Sequence, residues 1–155
     1  MSEHPLLGYH LLTDAEIDRR IKLAALQHHE RNDGSGYPYG LTKEFINYYS
    51  KIVSITDVYD AMTADRCYRA GICPFEVIAQ FQRQNPSKYD QNVLQVFLKN
   101  IAQSYIGTGV LLSDNSRGII TMINDKALSS PLVKLDDETF VDLRERTDLF
   151  IRACI

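Results

Sequence analysis

The chain has 155 residues, 45% hydrophobic and 24% charged, which is long enough to bury a core and too apolar for a disordered chain. Its net charge of -3 gives no global attraction to nucleic acid or to an anionic membrane, so neither is an expected partner. No apolar run approaches the ~20 residues of a bilayer span, and the three cysteines form no C-x-x-C pair, so the chain reads as a cytoplasmic protein with reduced thiols.

In chain order, Thr13-Asp14-Ala15-Glu16 has the spacing of a capping box, and Ile17, Ile21, Ala24 and His28 recur behind it as one helical stripe. The spacing predicts a helix whose buried face ends in a histidine. Residues 32–40, Asn-Asp-Gly-Ser-Gly-Tyr-Pro-Tyr-Gly, are dense in helix breakers, so a loop starts directly after His28-His29. From Lys43 to about Asp65 there is neither Gly nor Pro, and Phe45, Tyr49, Ile52, Tyr59 and Met62 keep roughly helical spacing. This predicts the longest helix.

Pro74 suits a first helical turn, with Phe75, Ile78 and Phe81 following, and Val93, Val96, Phe97 and Ile101 mark another amphipathic helix. After Gly107 and Gly109 the pattern changes to β-rich runs at 110–112, 118–123 and 132–135. Asp114-Asn115-Ser116 and Ser129-Ser130-Pro131 separate these runs, which together predict a small β-meander. Residues 140–155 show no period and receive no assignment. The expectation is a mainly α fold, with a helical domain over 1–106 and a β-rich extension over 107–155.

Chemistry concentrates in four places. His28 and His29 are adjacent at the end of a helix, and His4 stands near the start of the chain. Asp57 and Asp60 are three apart on one predicted helix and share a face. Neutral imidazoles and a carboxylate are ligands that iron, manganese and related divalent metals accept. Arg66 and Arg69 follow at the end of that helix, and guanidinium forks suit phosphate oxygens. Blander readings stand beside these: a single histidine on an apolar stripe is usually core, and helix-end arginines are often solvated. Asp33 reads as a turn residue and His10 as surface or packing.

The segment His28-His29-Glu30, Asp33-Gly34-Ser35-Gly36-Tyr37-Pro38 and Gly40-Leu41 meets every fixed position of the pattern H-H-E-x-x-D-G-x-G-Y-P-x-G-L. In this the chain resembles the HD-GYP domains. A second block of that family is matched from Asp57 to Arg69, with Cys67 where members usually have Pro. His4-Pro5-Leu6-Leu7-Gly8 looks like the family's H-P-x-x-G element, and the resemblance runs from His4 to about Pro131.

The resemblance implies an HD-domain-like helical bundle, truncated at its N-terminus and followed by the meander. It also implies metal-dependent hydrolysis of cyclic-di-GMP. His4, His28, His29 and Asp57 are the implied metal ligands, and Asp60 is the implied catalytic-centre carboxylate that pairs with a lysine. Arg66, Arg69 and Tyr37 are the implied substrate contacts.

The chain contains no His-Asp dipeptide, so the H…HD-x-G-K segment that completes the family's metal site is missing. The expectation is therefore an incomplete and inactive form that holds at most one divalent metal. The alternative is a non-catalytic signalling module whose loop docks a partner such as a GGDEF protein, with a homodimer as a further expectation.

Overall fold

A computed structural model describes residues 3–65 and 70–155. Among them are five helices, α1 (His4–Leu11), α2 (Arg19–Gln27), α3 (Tyr48–Thr63), α4 (Pro74–Arg83) and α5 (Gln91–Ser104). Five strands follow, β1 (Gly109–Leu112), β2 (Arg117–Asn124), β3 (Ala127–Leu135), β4 (Phe140–Asp142) and β5 (Ile151–Cys154). No helix among the described residues is long and apolar enough to cross a membrane. The chain divides into two compact units, one of residues 1–61 and 84–95 and the other of residues 62–83 and 96–155.

In the first unit α1 packs on α2. Gly8 of α1 faces Ala25 of α2, and even a Cβ at position 8 would make only ordinary contact there, at 3.9 Å. The two helices run in opposite directions, so His4, one turn before Gly8, comes beside His28 at the end of α2. Helix α2 starts later than the capping box predicts. Its cap is Asp18, which accepts from the Arg20 N–H at 2.8 Å, whereas the Thr13 hydroxyl donates back to the Tyr9 carbonyl at the end of α1. The expected apolar stripe is also displaced, since Ile17 and Ile21 are exposed and Leu26 and Gln27 are buried.

The longest helix is α3, as expected, but it begins at Tyr48 rather than Lys43. Asn47 caps it through its side-chain oxygen, which accepts from the Tyr49 N–H at 3.0 Å. Its buried residues are Ser50, Ser54 and Ile55, while Phe45 and Tyr49 of the expected stripe are exposed. The reason is polar. Gln27 is 7% exposed, its Oε1 accepts from the Asn47 N–H at 2.9 Å, and it lies 3.1 Å from the Ser50 hydroxyl. A small hydroxyl residue at 50 allows this contact where an aromatic ring would block it.

The second unit is a five-stranded antiparallel sheet in the order β4-β3-β2-β1-β5, with α4 against β3 and β5. Its core joins Phe75, Ile78 and Phe81 of α4 to Val110, Leu112, Ile120, Leu128 and Val133 of the sheet. The meander is therefore present, and the unassigned tail supplies its two edge strands. Ser129-Ser130-Pro131, expected to separate strands, lies inside β3 in the irregular stretch between the pairs Met122↔Leu132 and Asn124↔Ala127. An irregular stretch tolerates a proline because no ladder N–H is needed there. On α5 Val93 is buried as expected, whereas Val96 is exposed and Leu94, Leu98 and Ala102 are buried in its place.

Replacing Gln27 by Leu keeps its size but leaves the Asn47 N–H without its acceptor. A loss of about 1–3 kcal/mol in urea-unfolding stability is expected. An unchanged unfolding midpoint would show that this buried amide does not join α2 to α3.

Candidate metal centre

His28 is the C-cap residue of α2, and its Nδ1 lies 2.9 Å from the Ala25 carbonyl one turn back. The carbonyl can only accept, so Nδ1 carries the proton and the Nε2 lone pair points away from the helix. His29 follows at once, and α1 brings His4 in from the other side. The His4 Nε2 lies 3.2 Å from Nε2 of His28 and 3.0 Å from Nε2 of His29. Ligand nitrogens of all three histidines lie within 4.8 Å of one another.

Two contacts of this length at one nitrogen are difficult to reconcile with three neutral rings alone. In a neutral ring Nε2 of His4 offers either one N–H or one in-plane lone pair, so it can serve one neighbour well and not both. A cation shared by the three removes this conflict. At bond lengths of about 2.0–2.1 Å, two ligands on one ion stand roughly 2.9 Å apart at a right angle and roughly 3.3 Å apart at a tetrahedral angle. The observed 3.0 and 3.2 Å fall between these limits. The donor set therefore suits a divalent ion such as zinc, manganese or iron.

Asp57, on α3, is not part of this tight set. Its Oδ2 lies 3.9 Å from Nδ1 of His29, on the edge of that ring away from the cluster. Burial, together with the neighbouring His28, pulls the His29 basicity down to about 4, and Asp57 partly opposes this. Asp60 is exposed on the same helix. Arg66 and Arg69 lie outside the described residues. Tyr37 does not stand open on both faces, because its ring stacks on His29 with centroids 4.6 Å apart and planes 23° from parallel.

The residue that positions this cluster is one to which the sequence reading gave no role. Glu30 is 2% exposed, and its two carboxylate oxygens accept from the backbone N–H groups of Tyr39 and Leu41, each at 2.8 Å. The loop is thus folded back on the residues that precede it. The Tyr37 N–H donates to the His29 carbonyl at 3.2 Å. Gly36 lies so close beneath that a Cβ would stand 2.4 Å from the Arg31 nitrogen and 2.5 Å from the His29 carbonyl oxygen. Gly34 and Gly40 close the loop at φ of +78° and +64°, where side chains are strained. Arg31 completes the hold, donating to the carbonyls of His28 and Glu30 at 3.1 and 2.8 Å. A buried acid facing two backbone donors has no signature in hydrophobic periodicity. Its only signal was its fixed place in the motif.

Glu30→Gln puts an amide NH₂ against one of two backbone N–H donors. It is expected to cost about 1–3 kcal/mol of stability and, by releasing the Tyr37 ring from His29, to weaken divalent-metal binding roughly 10–100-fold. Calorimetric titration with zinc checks this, and wild-type affinity in a folded variant would remove the positioning role.

The low basicity of His29 has a definite sign. Its charged form is disfavoured in the folded chain, so its contribution to stability is present above the free-imidazole value of about 6.5 and is lost as pH falls toward about 4. In the metal-free chain its ring resonances are expected to stay unprotonated through pH 5 and to titrate lower still in Asp57→Asn. An NMR titration showing an ordinary imidazole would contradict this.

Residues 1–93 match the HD domain family. A cyclic di-GMP phosphodiesterase of Pseudomonas aeruginosa is 33% identical over 133 residues, covering 85% of this chain and 32% of the relative. The cyclic di-GMP phosphodiesterase response regulator RpfG of Xanthomonas campestris is 38% identical over 106 residues, 66% of this chain and 28% of the relative. A 3'3'-cGAMP-specific phosphodiesterase of Vibrio cholerae is 39% identical over 79 residues, 50% of this chain and 18% of the relative. The chain thus spans about a third or less of the length of these relatives. With the HD domain match over more than half its length and the unbroken His-His-Glu to Gly-Leu motif folded around its histidine cluster, the chain belongs to the HD domain family and is of the HD-GYP type.

Proposed function

We propose that this chain is part of a metal-dependent phosphodiesterase that hydrolyses a cyclic dinucleotide, with cyclic di-GMP as the first substrate to consider. The observation that carries this reading is the convergence of His4, His28 and His29 on one point, with ligand nitrogens within 4.8 Å of one another. The names of the relatives supply the substrate class, and the 3'3'-cGAMP-specific relative widens it beyond cyclic di-GMP. A divalent ion held by His4, His28 and His29 would make water more acidic and would offset charge on the phosphate oxygens.

The chain's own residues have distinct parts in this proposal. His4, His28 and His29 hold the ion through Nε2, and Asp57 steadies His29 from the opposite edge of its ring. Asp60, exposed on α3, is available to a cationic group from a further segment. Arg66 and Arg69 take the phosphates, and Tyr37, stacked on His29, limits the substrate's approach from the loop side. A second reading, a docking surface for a GGDEF-type protein or a second copy, is favoured by Tyr39, which is 60% exposed at the loop's tip.

These 155 residues offer three imidazoles and Asp57 but no His-Asp dipeptide. They hold one ion, and ligands for another have to come from outside them. The purified chain is expected to bind at most one manganese or iron per copy by elemental analysis, to lose that ion in His28→Ala, and to show no hydrolysis of cyclic di-GMP. Two or more tightly held ions per copy, or turnover abolished by His29→Ala, would overturn the single-ion account.

A further inference from the structure

Within the second unit a cavity of about 230 Å³ lies between α4, β3 and the stretch that joins β4 to β5. Its floor is apolar, formed by the buried side chains of Phe75, Leu143 and Ile151. Its other lining is polar. Glu76 and Arg83, two turns apart on one face of α4, supply a carboxylate and a guanidinium, and Ser129, Ser130 and Thr147 supply hydroxyls from the other elements.

These polar groups have bonding capacity to spare. The Glu76–Arg83 contact is long, 3.7 Å from Oε1 to Nη1, and both side chains are well exposed, so the pair contributes little to stability. Gln80 donates to the same Oε1 at 3.2 Å. Among the described residues, Oε2 of Glu76 accepts no hydrogen bond, the Arg83 guanidinium donates none, and the three hydroxyls make none.

One negative and one positive group side by side select a ligand by its charge. A simple anion would be repelled by Glu76 and a simple cation by Arg83, whereas a zwitterion is attracted by both. In an α-amino acid the ammonium nitrogen and the carboxylate carbon are bonded to one carbon and stand about 2.5 Å apart, so the two charges reach neighbouring groups together. The cavity is smaller than the roughly 300 Å³ at which pockets for drug-sized ligands begin, which suits a molecule of amino-acid size and is too small for a dinucleotide.

We infer that this cavity binds a free α-amino acid with an apolar side chain. Its ammonium pairs with Oε2 of Glu76, its carboxylate takes the Arg83 fork with help from the hydroxyls, and its side chain rests on Phe75, Leu143 and Ile151. The site is independent of the metal centre and of the hydrolysis proposed for it.

Amide NMR of the full chain, titrated separately with leucine, valine and phenylalanine, provides the test. At least one of the three is expected to give saturating shifts at Ser129, Ser130 and Thr147. Its N-acetyl and carboxamide derivatives, each lacking one charge, should bind roughly tenfold more weakly or worse, and so should the amino acid itself in Arg83→Met. Absence of saturating shifts with all three amino acids, or an N-acetyl derivative that binds as well as its parent, would overturn the inference without reference to how any variant folds. Wild-type affinity in Arg83→Met would overturn it as well.

Discussion

The buried carboxylate of Glu30 is the constraint on which the site depends. An ionised acid withdrawn from water is expensive unless its oxygens find donors, and here each finds one, the backbone N–H groups of Tyr39 and Leu41. Such charge-assisted bonds are about twice as strong as neutral ones, so the loop closes over the acid and cannot extend. Closure presses Gly36 onto the backbone of residues 29–31, where no side chain fits, and lays the Tyr37 ring along His29. The loop after the histidines is thus part of their support.

Gln27 acts in the same way one residue before the histidines. Its buried amide joins α2 to the start of α3, the helix that carries Asp57. His28 and His29 therefore sit between two buried polar anchors, one fixing the helix that precedes them and one fixing the loop that follows. With α1 packed on α2, the three imidazoles converge on one point, as a shared divalent ion requires. The depressed basicity of His29 works in the same direction, since a ring that resists protonation remains available as a ligand.

Much of the site was legible in the sequence because it is written as a contiguous motif, from His28 to Leu41, with glycines where the backbone adopts positive φ. The elements around it were legible where burial follows apolar period, as in α4, whose Phe75, Ile78 and Phe81 are all buried. Legibility failed where burial is polar or local. Ser50 is on the buried face of α3 because its hydroxyl meets the Gln27 amide there, whereas Phe45 and Tyr49 of the aromatic stripe are exposed. The start of α2 was misplaced because Thr13 and Asp18 are both good caps, and only the chain's return from α1 decides between them. Edge strands β4 and β5 are three and four residues long, too short for an alternating pattern to register.

We propose that His4, His28 and His29 together form one site for one divalent ion. It is tested most directly by a crystal of the chain grown with manganese or zinc and measured at the metal's absorption edge. A single anomalous peak per copy is expected, within about 2.0–2.2 Å of Nε2 of all three histidines, with the Glu30 carboxylate still bonded to the Tyr39 and Leu41 nitrogens. A peak held by other residues, or an ion that binds only after the three rings have moved apart, would contradict it.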